Sequence, residues 1–221
     1  MELEEDNVNE MSMETDKEVG PNENGQIAIS GHIKIFDAIS GEVLVDKRNA
    51  IHYENISEAL ANSLSNKNIG QIYSMAFGNG GSSVDPTGVI TYLPPNTTGQ
   101  NANLYNPTYA KVVDNNSAAN TDTSRNKLTV THTTGKVYTD ILVSCLLDYG
   151  EPSGQQAFDN STDFNGDYVF DELGLKVWNG STTNLRLITH VIFHPVQKSL
   201  NRQIQIDYTV RIQTLTNLSA T

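Results

Sequence analysis

Apolar and polar residues alternate along most of the chain from residue 26 onward. Such alternation predicts β-strands with one buried and one wetter face, because successive side chains on a strand point to opposite sides of the sheet. The clearest example is residues 203–212, where isoleucine, tyrosine and valine alternate with polar residues. The same reasoning predicts strands at residues 27–35, 42–45, 72–77, 127–133, 138–149, 168–178, 185–194 and 203–212.

One segment has helical rather than strand spacing. Ile56, Leu60 and Leu64 recur every four residues, Asn55 precedes them as a candidate N-cap, and Glu58 stands where it would reach back in a capping box. This predicts a short helix over about residues 56–65, ended by the turn-forming residues 66–70 and packed on a sheet.

Residues 82–125 form a long region rich in Pro, Asn and Gly, interrupted by two short apolar runs at 89–93 and 109–113. Long loops in compact domains are usually functional or form interfaces. We therefore predict an intermolecular contact surface here, with Tyr105 and Tyr109 near its centre. The alternative is that the region folds back onto the chain's own sheet. The predicted interface residues are Tyr92, Leu93, Leu104, Tyr105 and Tyr109.

These elements predict a mainly β fold. The expected architecture is an antiparallel β-sandwich or open barrel with one short helix and a long irregular loop region.

Charge is distributed unevenly along the chain. Residues 1–25 hold nine acidic residues and one lysine, so this segment carries −8 of the formal net charge of −12. Its composition cannot support a core, which predicts a flexible acidic arm at 1–25 and a β-rich domain at 26–221. The remaining −4 leaves no basic stripe for phosphates, so direct nucleic-acid binding is not expected.

The sequence shows no targeting segment, no membrane span and only one cysteine. The N-terminus has neither a basic nor an apolar signal segment, and no stretch approaches the ~18 apolar residues of a membrane span. We expect a protein made in the cytoplasm with no membrane partner. Cys145, the single cysteine, lies in an alternating apolar run, which predicts a buried, inert thiol.

The glycine cluster Gly78, Gly80 and Gly81 follows an apolar strand. Such a cluster is compatible with a phosphate-binding loop or with a tight turn, but it lacks the Lys-Ser/Thr of a P-loop and the G-x-G-x-x-G spacing. We therefore predict a turn in which at least one of these glycines has a positive φ.

No other motif supports a metal, cofactor or catalytic site. His190 and His194 would lie about 13 Å apart on a strand, too far for one zinc ion. Asp163–Asp167 opens like a calcium loop but has its glycine misplaced for an EF-hand. Asp171 and Glu172 are adjacent on a predicted strand, so they are expected to face opposite ways. The sequence thus predicts a non-enzymatic protein without cofactors.

Two stretches carry a resemblance to a known family. Residues 54–81 (helix, strand, glycine-rich turn) and residues 170–212, which open with Phe-Asp-Glu-Leu-Gly-Leu, resemble attachment domains of bacteriophage tail-fibre and tail-collar proteins. Within the second stretch, Gly174 is expected to let a strand bend or approach a neighbour closely. The chain has no heptads and no Gly-X-Y repeat, so a complete host-binding fibre is not expected.

The resemblance implies a structural protein of a tailed-phage virion, made in the host bacterial cytoplasm. An adaptor in the neck, collar or baseplate fits best, and a capsid decoration protein is the alternative. Expected partners are other virion proteins and further copies of the chain. A receptor- or carbohydrate-binding module is the hypothesis of a different class; it would use exposed aromatics such as Tyr92, Tyr105 and Tyr109 and would make a host receptor the partner.

Overall fold

The computed structural model describes residues 25–152 and 167–216. Over these ranges the chain is mainly β, with every strand pairing antiparallel. The elements, in chain order, are β1 (Gly25–Asp37), β2 (Val43–Arg48), β3 (Ala50–Ile51), α1 (Tyr53–Leu64), β4 (Ile72–Gly78), β5 (Ser82–Val84), β6 (Ile90–Tyr92), β7 (Pro107–Val112), β8 (Lys127–His132), β9 (Tyr138–Leu147), β10 (Asp167–Val177), β11 (Arg186–Leu187), β12 (Thr189–Ser199) and β13 (Ile204–Thr216).

The strands form two large sheets and one small hairpin. Sheet 1 has the order β2-β1-β13-β9-β8, and sheet 2 has the order β3-β12-β10-β4-β7, with β11 paired to β10. Strands β5 and β6 form a separate hairpin. The predicted antiparallel β fold with one short helix is confirmed.

One hydrophobic core lies between the two sheets. Sheet 1 contributes every second residue of its strands, as the alternating sequence pattern predicted. Ile33, Cys145 and Tyr208 are examples, and each is fully buried. Sheet 2 contributes Phe77 and Phe170, whose rings meet edge to face with centroids 5.5 Å apart. Because each strand buries one face here, a slip of one residue would move a whole apolar set into water, which fixes the register.

The thiol of Cys145 is part of this core. Burial raises its pKa to about 12, so the thiolate that reacts with oxidants and electrophiles does not form at neutral pH. The prediction of a buried cysteine is confirmed.

Helix α1 begins earlier than predicted and has a different cap. His52, not Asn55, is the N-cap: its Nδ1 accepts a hydrogen bond from the backbone N–H of Asn55 at 3.2 Å. The helix buries Asn55, Ile56 and Ala59, whereas Leu64 is 87% exposed. The four-residue spacing identified the helix correctly, but Leu64, the last of the three spaced residues, lies in solvent.

The region 82–125 is less irregular than predicted. It contains β5 and β6, and β7 joins sheet 2 as an edge strand by pairing with β4. The short apolar runs were thus strand signals despite the flanking turn residues. The predicted acidic arm and the calcium-like segment 163–167 fall, wholly or almost wholly, outside the described residues.

Among the described residues, no helix has the length and apolar character needed to cross a membrane.

Candidate functional site

Residues 79–106, here called the cover loop, fold back over the outer face of sheet 2. Leu104 of the loop is 4% exposed and packs with Ala76 of β4 and Leu187 of β11 in a second, smaller apolar cluster. The prediction that Leu104 belongs to an exposed interface is therefore wrong. Sheet 2 offers apolar groups on its outer face, and the loop buries its own leucine against them.

Two consecutive acidic residues of β10 point toward the cover loop. Phe170 and Leu173 both face the core, and the pairing of β10 with β12 shifts register between Phe170 and Glu172. Such an irregularity interrupts the alternation of a strand, so Asp171 and Glu172 both lie on the outer face. The expectation that these two side chains face opposite ways is wrong for this reason.

Glu172 holds three backbone N–H groups of the cover loop. Its Oε1 accepts from Gly80 at 3.1 Å and from Asn106 at 2.8 Å, and its Oε2 accepts from Tyr105 at 2.9 Å. The carboxylate is 0% exposed, so these bonds replace the water that it loses on folding.

His190 supplies the fourth donor to Glu172. Its Nε2 lies 3.0 Å from Glu172 Oε2, while its Nδ1 accepts the backbone N–H of Asn96 at 2.8 Å. An imidazole nitrogen that accepts a hydrogen bond carries no proton, so Nε2 bears the proton and the ring is neutral. His190 thus links the buried carboxylate of Glu172 to the cover-loop backbone at Asn96.

Asp171 fixes the glycine-rich start of the loop. Its carboxylate accepts from the backbone N–H groups of Gly81 at 3.0 Å and Ser82 at 2.8 Å, and from the Ser82 hydroxyl. Together Asp171, Glu172 and His190, here called the clamp, bind six backbone N–H groups of the cover loop.

The two clamp acids have opposite pKa shifts. Burial alone would raise the pKa of Glu172, but the hydrogen bonds from His190, Asn106, Tyr105 and Gly80 outweigh it and lower the pKa below its ordinary value. Burial raises the pKa of Asp171, and the neighbouring Glu172 charge adds to that effect against the bonds from Ser82 and Gly81.

The prediction that Gly78, Gly80 or Gly81 has a positive φ is wrong. Positive φ occurs at seven described glycines, and Gly78, Gly80 and Gly81 are not among them. A Cβ on Gly78 would lie 2.5 Å from both Asn106 O and Glu172 Oε1, and one on Gly80 would lie 2.7 Å from Asn106 N. These positions need glycine because the loop backbone and the Glu172 carboxylate approach so closely.

Neighbouring segments approach the Cα of Gly174 closely, as the glycine within a strand predicted. A Cβ there would lie 2.5 Å from Thr189 O, 2.6 Å from Leu187 Cδ1 and 3.3 Å from Leu104 Cδ2. The missing side chain leaves the space into which the small apolar cluster packs.

The outer surface of the cover loop keeps several apolar groups in solvent. Tyr92, Leu93 and Tyr105 are 51%, 46% and 42% exposed. The Tyr105 hydroxyl donates to Pro94 O at 2.7 Å, which places this ring beside the Leu93–Pro94 segment. We call Tyr92, Leu93, Pro94 and Tyr105 the loop patch.

Tyr109, the fifth predicted interface residue, lies apart from the patch. It is a β7 residue, half-buried, with its ring centroid 6.0 Å from that of Phe77. It also borders an open cavity of about 600 Å³, whose charged groups pair with one another: Lys111 with Glu151, and Arg125 with Asp122 and Asp148.

The two histidines of β12 do not converge. His190 is buried in the clamp, whereas the exposed His194 places its Nδ1 3.1 Å from the Tyr92 hydroxyl. Within residues 25–152 and 167–216, no three His, Cys, Asp or Glu side chains are grouped as metal ligands.

The polar atoms of Glu172 and His190 are hydrogen-bonded within the chain. Glu172 and His190 are both fully buried. The part of this arrangement that faces solvent is the loop patch on the outer surface of the cover loop. The fold and this site define an antiparallel β-sandwich with a clamped loop over one sheet. Comparison with protein-family models, curated proteins and solved structures found no match to this chain.

Proposed function

We propose that this chain is a structural component of a tailed-phage virion, an adaptor of the neck, collar or baseplate that docks onto another virion protein through the loop patch. Two observations support this role. The resemblance of residues 54–81 and 170–212 to phage attachment domains favours the virion, and the geometry of the cover loop favours docking.

The observation that carries the docking role is an exposed apolar surface on a rigidly held loop. Tyrosine and leucine side chains stand in solvent, yet the backbone beneath them is tied at six N–H groups to buried side chains. A surface ordered before binding loses little conformational entropy when a partner arrives. Aromatic anchors with a polar surround are typical of protein interfaces.

Leu93→Asp tests the docking role. Leu93 has no polar side-chain atom to lose, so a charge there opposes an apolar contact without breaking a hydrogen bond of the fold. In cells infected with the phage that encodes the chain, we expect the tagged variant to be strongly depleted from purified particles. The isolated variant should melt at the same temperature as the parent.

Ile39→Asp is the matched control. Ile39 is 73% exposed in the turn between β1 and β2, away from the cover loop, so its variant should enter particles normally. Equal incorporation of both variants would remove the loop patch from the proposal. Absence of the parent chain from particles would remove the virion role itself.

Mass spectrometry after separating heads from tails distinguishes the two positions within the virion. A neck, collar or baseplate adaptor is expected with tails, whereas a capsid decoration protein is expected with heads.

A further inference from the structure

We propose that two copies of the chain join edge to edge through strand β8, so that sheet 1 of one copy continues into sheet 1 of the other. The two β8 strands run antiparallel at this junction and are related by a twofold axis at Thr131. The junction belongs to sheet 1, whereas the loop patch lies over sheet 2, so this inference does not rest on the docking role.

Strand β8 is an edge of sheet 1, and β9 is its one neighbour among the described strands. Leu128 shows which way its backbone groups point. The Leu128 N–H donates to Asn115 Oδ1 at 2.6 Å, and the Leu128 carbonyl oxygen accepts from Asn115 Nδ2 at 3.2 Å. Both groups therefore point away from β9. Because this direction alternates along an antiparallel strand, the N–H and C=O groups of Val130 and His132 point away from β9 as well.

The pairing of β9 with β13 leads independently to the same orientation. The Thr214 N–H donates to Val137 O at 2.9 Å, so the odd-numbered residues of β9 bond to β13 and the even-numbered ones bond to β8. The even-numbered residues of β9 stand opposite the odd-numbered residues of β8. The backbone groups of Val130 and His132 are thus left without a hydrogen-bond partner within the described part of the chain, and both residues are exposed.

The two edges of sheet 1 differ in their chemistry. The edge strand β2 carries three consecutive charged residues, Asp46, Lys47 and Arg48. Charges on an edge strand oppose its pairing with another strand. The exposed part of β8 instead begins Thr129-Val130-Thr131, with no charge and no proline, and Val130 is 67% exposed. The β8 edge therefore lacks the features that protect the β2 edge.

A second β8 strand is the occupant that fits this edge. Free N–H and C=O groups at every second residue require a strand with the same spacing, and an antiparallel copy related by a twofold axis supplies it. An axis at Thr131 places Val130 opposite His132 of the second copy, and His132 opposite the second Val130. Each of these two pairs exchanges both an N–H and a C=O, so all of the free groups are used.

Asn115 selects this register over the neighbouring one. An axis at Val130 would place His132 opposite Leu128 of the second copy, whose backbone groups the Asn115 side chain already binds. With the axis at Thr131, the Thr131 residues of the two copies face each other as a non-hydrogen-bonded pair. Side chains in such a pair lie close together, which makes position 131 sensitive to charge.

The full chain is studied by analytical ultracentrifugation at concentrations up to about 1 mM, at which even a dimer of millimolar Kd is detected. We expect a reversible equilibrium between monomer and dimer. In NMR spectra over the same range, the amide N–H signals of Val130 and His132 should shift with concentration and exchange more slowly with solvent. The amide of Arg48, on the opposite edge, should not change.

Val130→Pro removes an N–H that points away from β9, so it breaks the junction and leaves the ladder within sheet 1 intact. We expect the affinity of the dimer to fall by about tenfold or more, at a nearly unchanged melting temperature. Arg48→Pro is the matched control. Its N–H points away from β1, since the adjacent Asn49 N–H donates to Gly31 O at 3.2 Å, and this variant should dimerise as the parent does.

Charge exchange at Thr131 tests the same junction without proline. Thr131→Lys and Thr131→Glu each place two like charges opposite each other at the axis, so each variant alone should be monomeric. A mixture of the two variants pairs opposite charges and should recover the dimer. A parent chain that stays monomeric at all concentrations, a dimer whose affinity is unchanged in Val130→Pro, or a mixture that stays monomeric overturns the proposal.

Discussion

Glu172 and His190 form a hydrogen bond of 3.0 Å between Oε2 and Nε2 beneath the cover loop, and neither side chain reaches solvent. The pair couples the centre of sheet 2 to the loop surface, because the remaining acceptor positions of both residues are taken by loop N–H groups.

The first prediction concerns this buried carboxylate. In Glu172→Gln the side chain keeps its shape, but an NH₂ group replaces one of the two acceptor oxygens and meets N–H donors. We expect the free energy of unfolding to fall by about 2–4 kcal/mol, measured by urea denaturation, because buried donors lose a charged acceptor. Proteolytic cleavage within residues 79–106 should become faster.

Glu42→Gln is the control, since the Glu42 side chain is 69% exposed, and it should change stability by less than about 0.5 kcal/mol. Equal stability of the two variants would show that the clamp does not hold the loop.

The second prediction concerns Gly174. The added methyl group of Gly174→Ala would lie 2.5 Å from a backbone oxygen, which cannot move as a flexible side chain can. We expect a loss of about 1–3 kcal/mol in thermal or chemical unfolding. Gly25→Ala, where the new Cβ meets nothing within 4 Å, should be close to neutral. A Gly174→Ala variant as stable as the parent would mean that β10 and β12 separate easily.

The third prediction is a loss of stability in acid. Hydrogen bonds from Gln203, Tyr149 N and Arg125 outweigh the opposing effect of burial and lower the pKa of Asp148 from 3.8 to about 2. A carboxyl with a depressed pKa stabilises the fold above its unfolded pKa, and this contribution disappears as the pH falls from about 4 toward 2. The lowered pKa of Glu172 acts in the same direction.

Asp171 acts in the opposite direction, because its raised pKa favours the folded state when the group is protonated. We therefore expect Asp148→Asn to flatten the dependence of unfolding free energy on pH below pH 4, measured by urea titration at each pH. An unchanged slope would contradict the pairing of Asp148 with Gln203 and Arg125.

The fourth prediction is that residues 1–24 are dispensable for folding. Their composition cannot support a core, and the buried positions of β1 begin only at Gly31. A chain that starts at Gly25 should melt cooperatively, at nearly the temperature of the full chain, in circular dichroism. Loss of the cooperative transition would assign part of the acidic segment to the fold.

Most of the strands were readable from the sequence because the signal is local. In β13, Ile206, Tyr208 and Val210 are buried and alternate with half-buried polar residues, as the pattern indicated. Cys145 was predictable for the same reason. The helix was also predictable, but not its cap, because a histidine is an uncommon N-cap and only the folded backbone shows that its ring nitrogen accepts.

The clamp was not predictable in this way. Two adjacent acids in an otherwise apolar strand indicate buried carboxylates, which need hydrogen-bond donors. The glycine cluster at residues 78–81 supplies such donors as backbone N–H groups, but it lies about 90 residues away along the chain. What the sequence did not show is that both acids face the same side, since that depends on a register shift in the pairing of β10 with β12.

By itself, the amino-acid sequence determined the antiparallel β character, the positions of the long strands and the place of the single helix among the described residues, because a side-chain period of two or of 3.6 is a property of neighbouring residues. Only the tertiary structure decided that Leu104 is buried while Leu93 is exposed, and that Gly78 is needed for a close contact rather than for a positive φ. Those outcomes depend on which distant segment packs against each residue, and a local pattern carries no record of that neighbour.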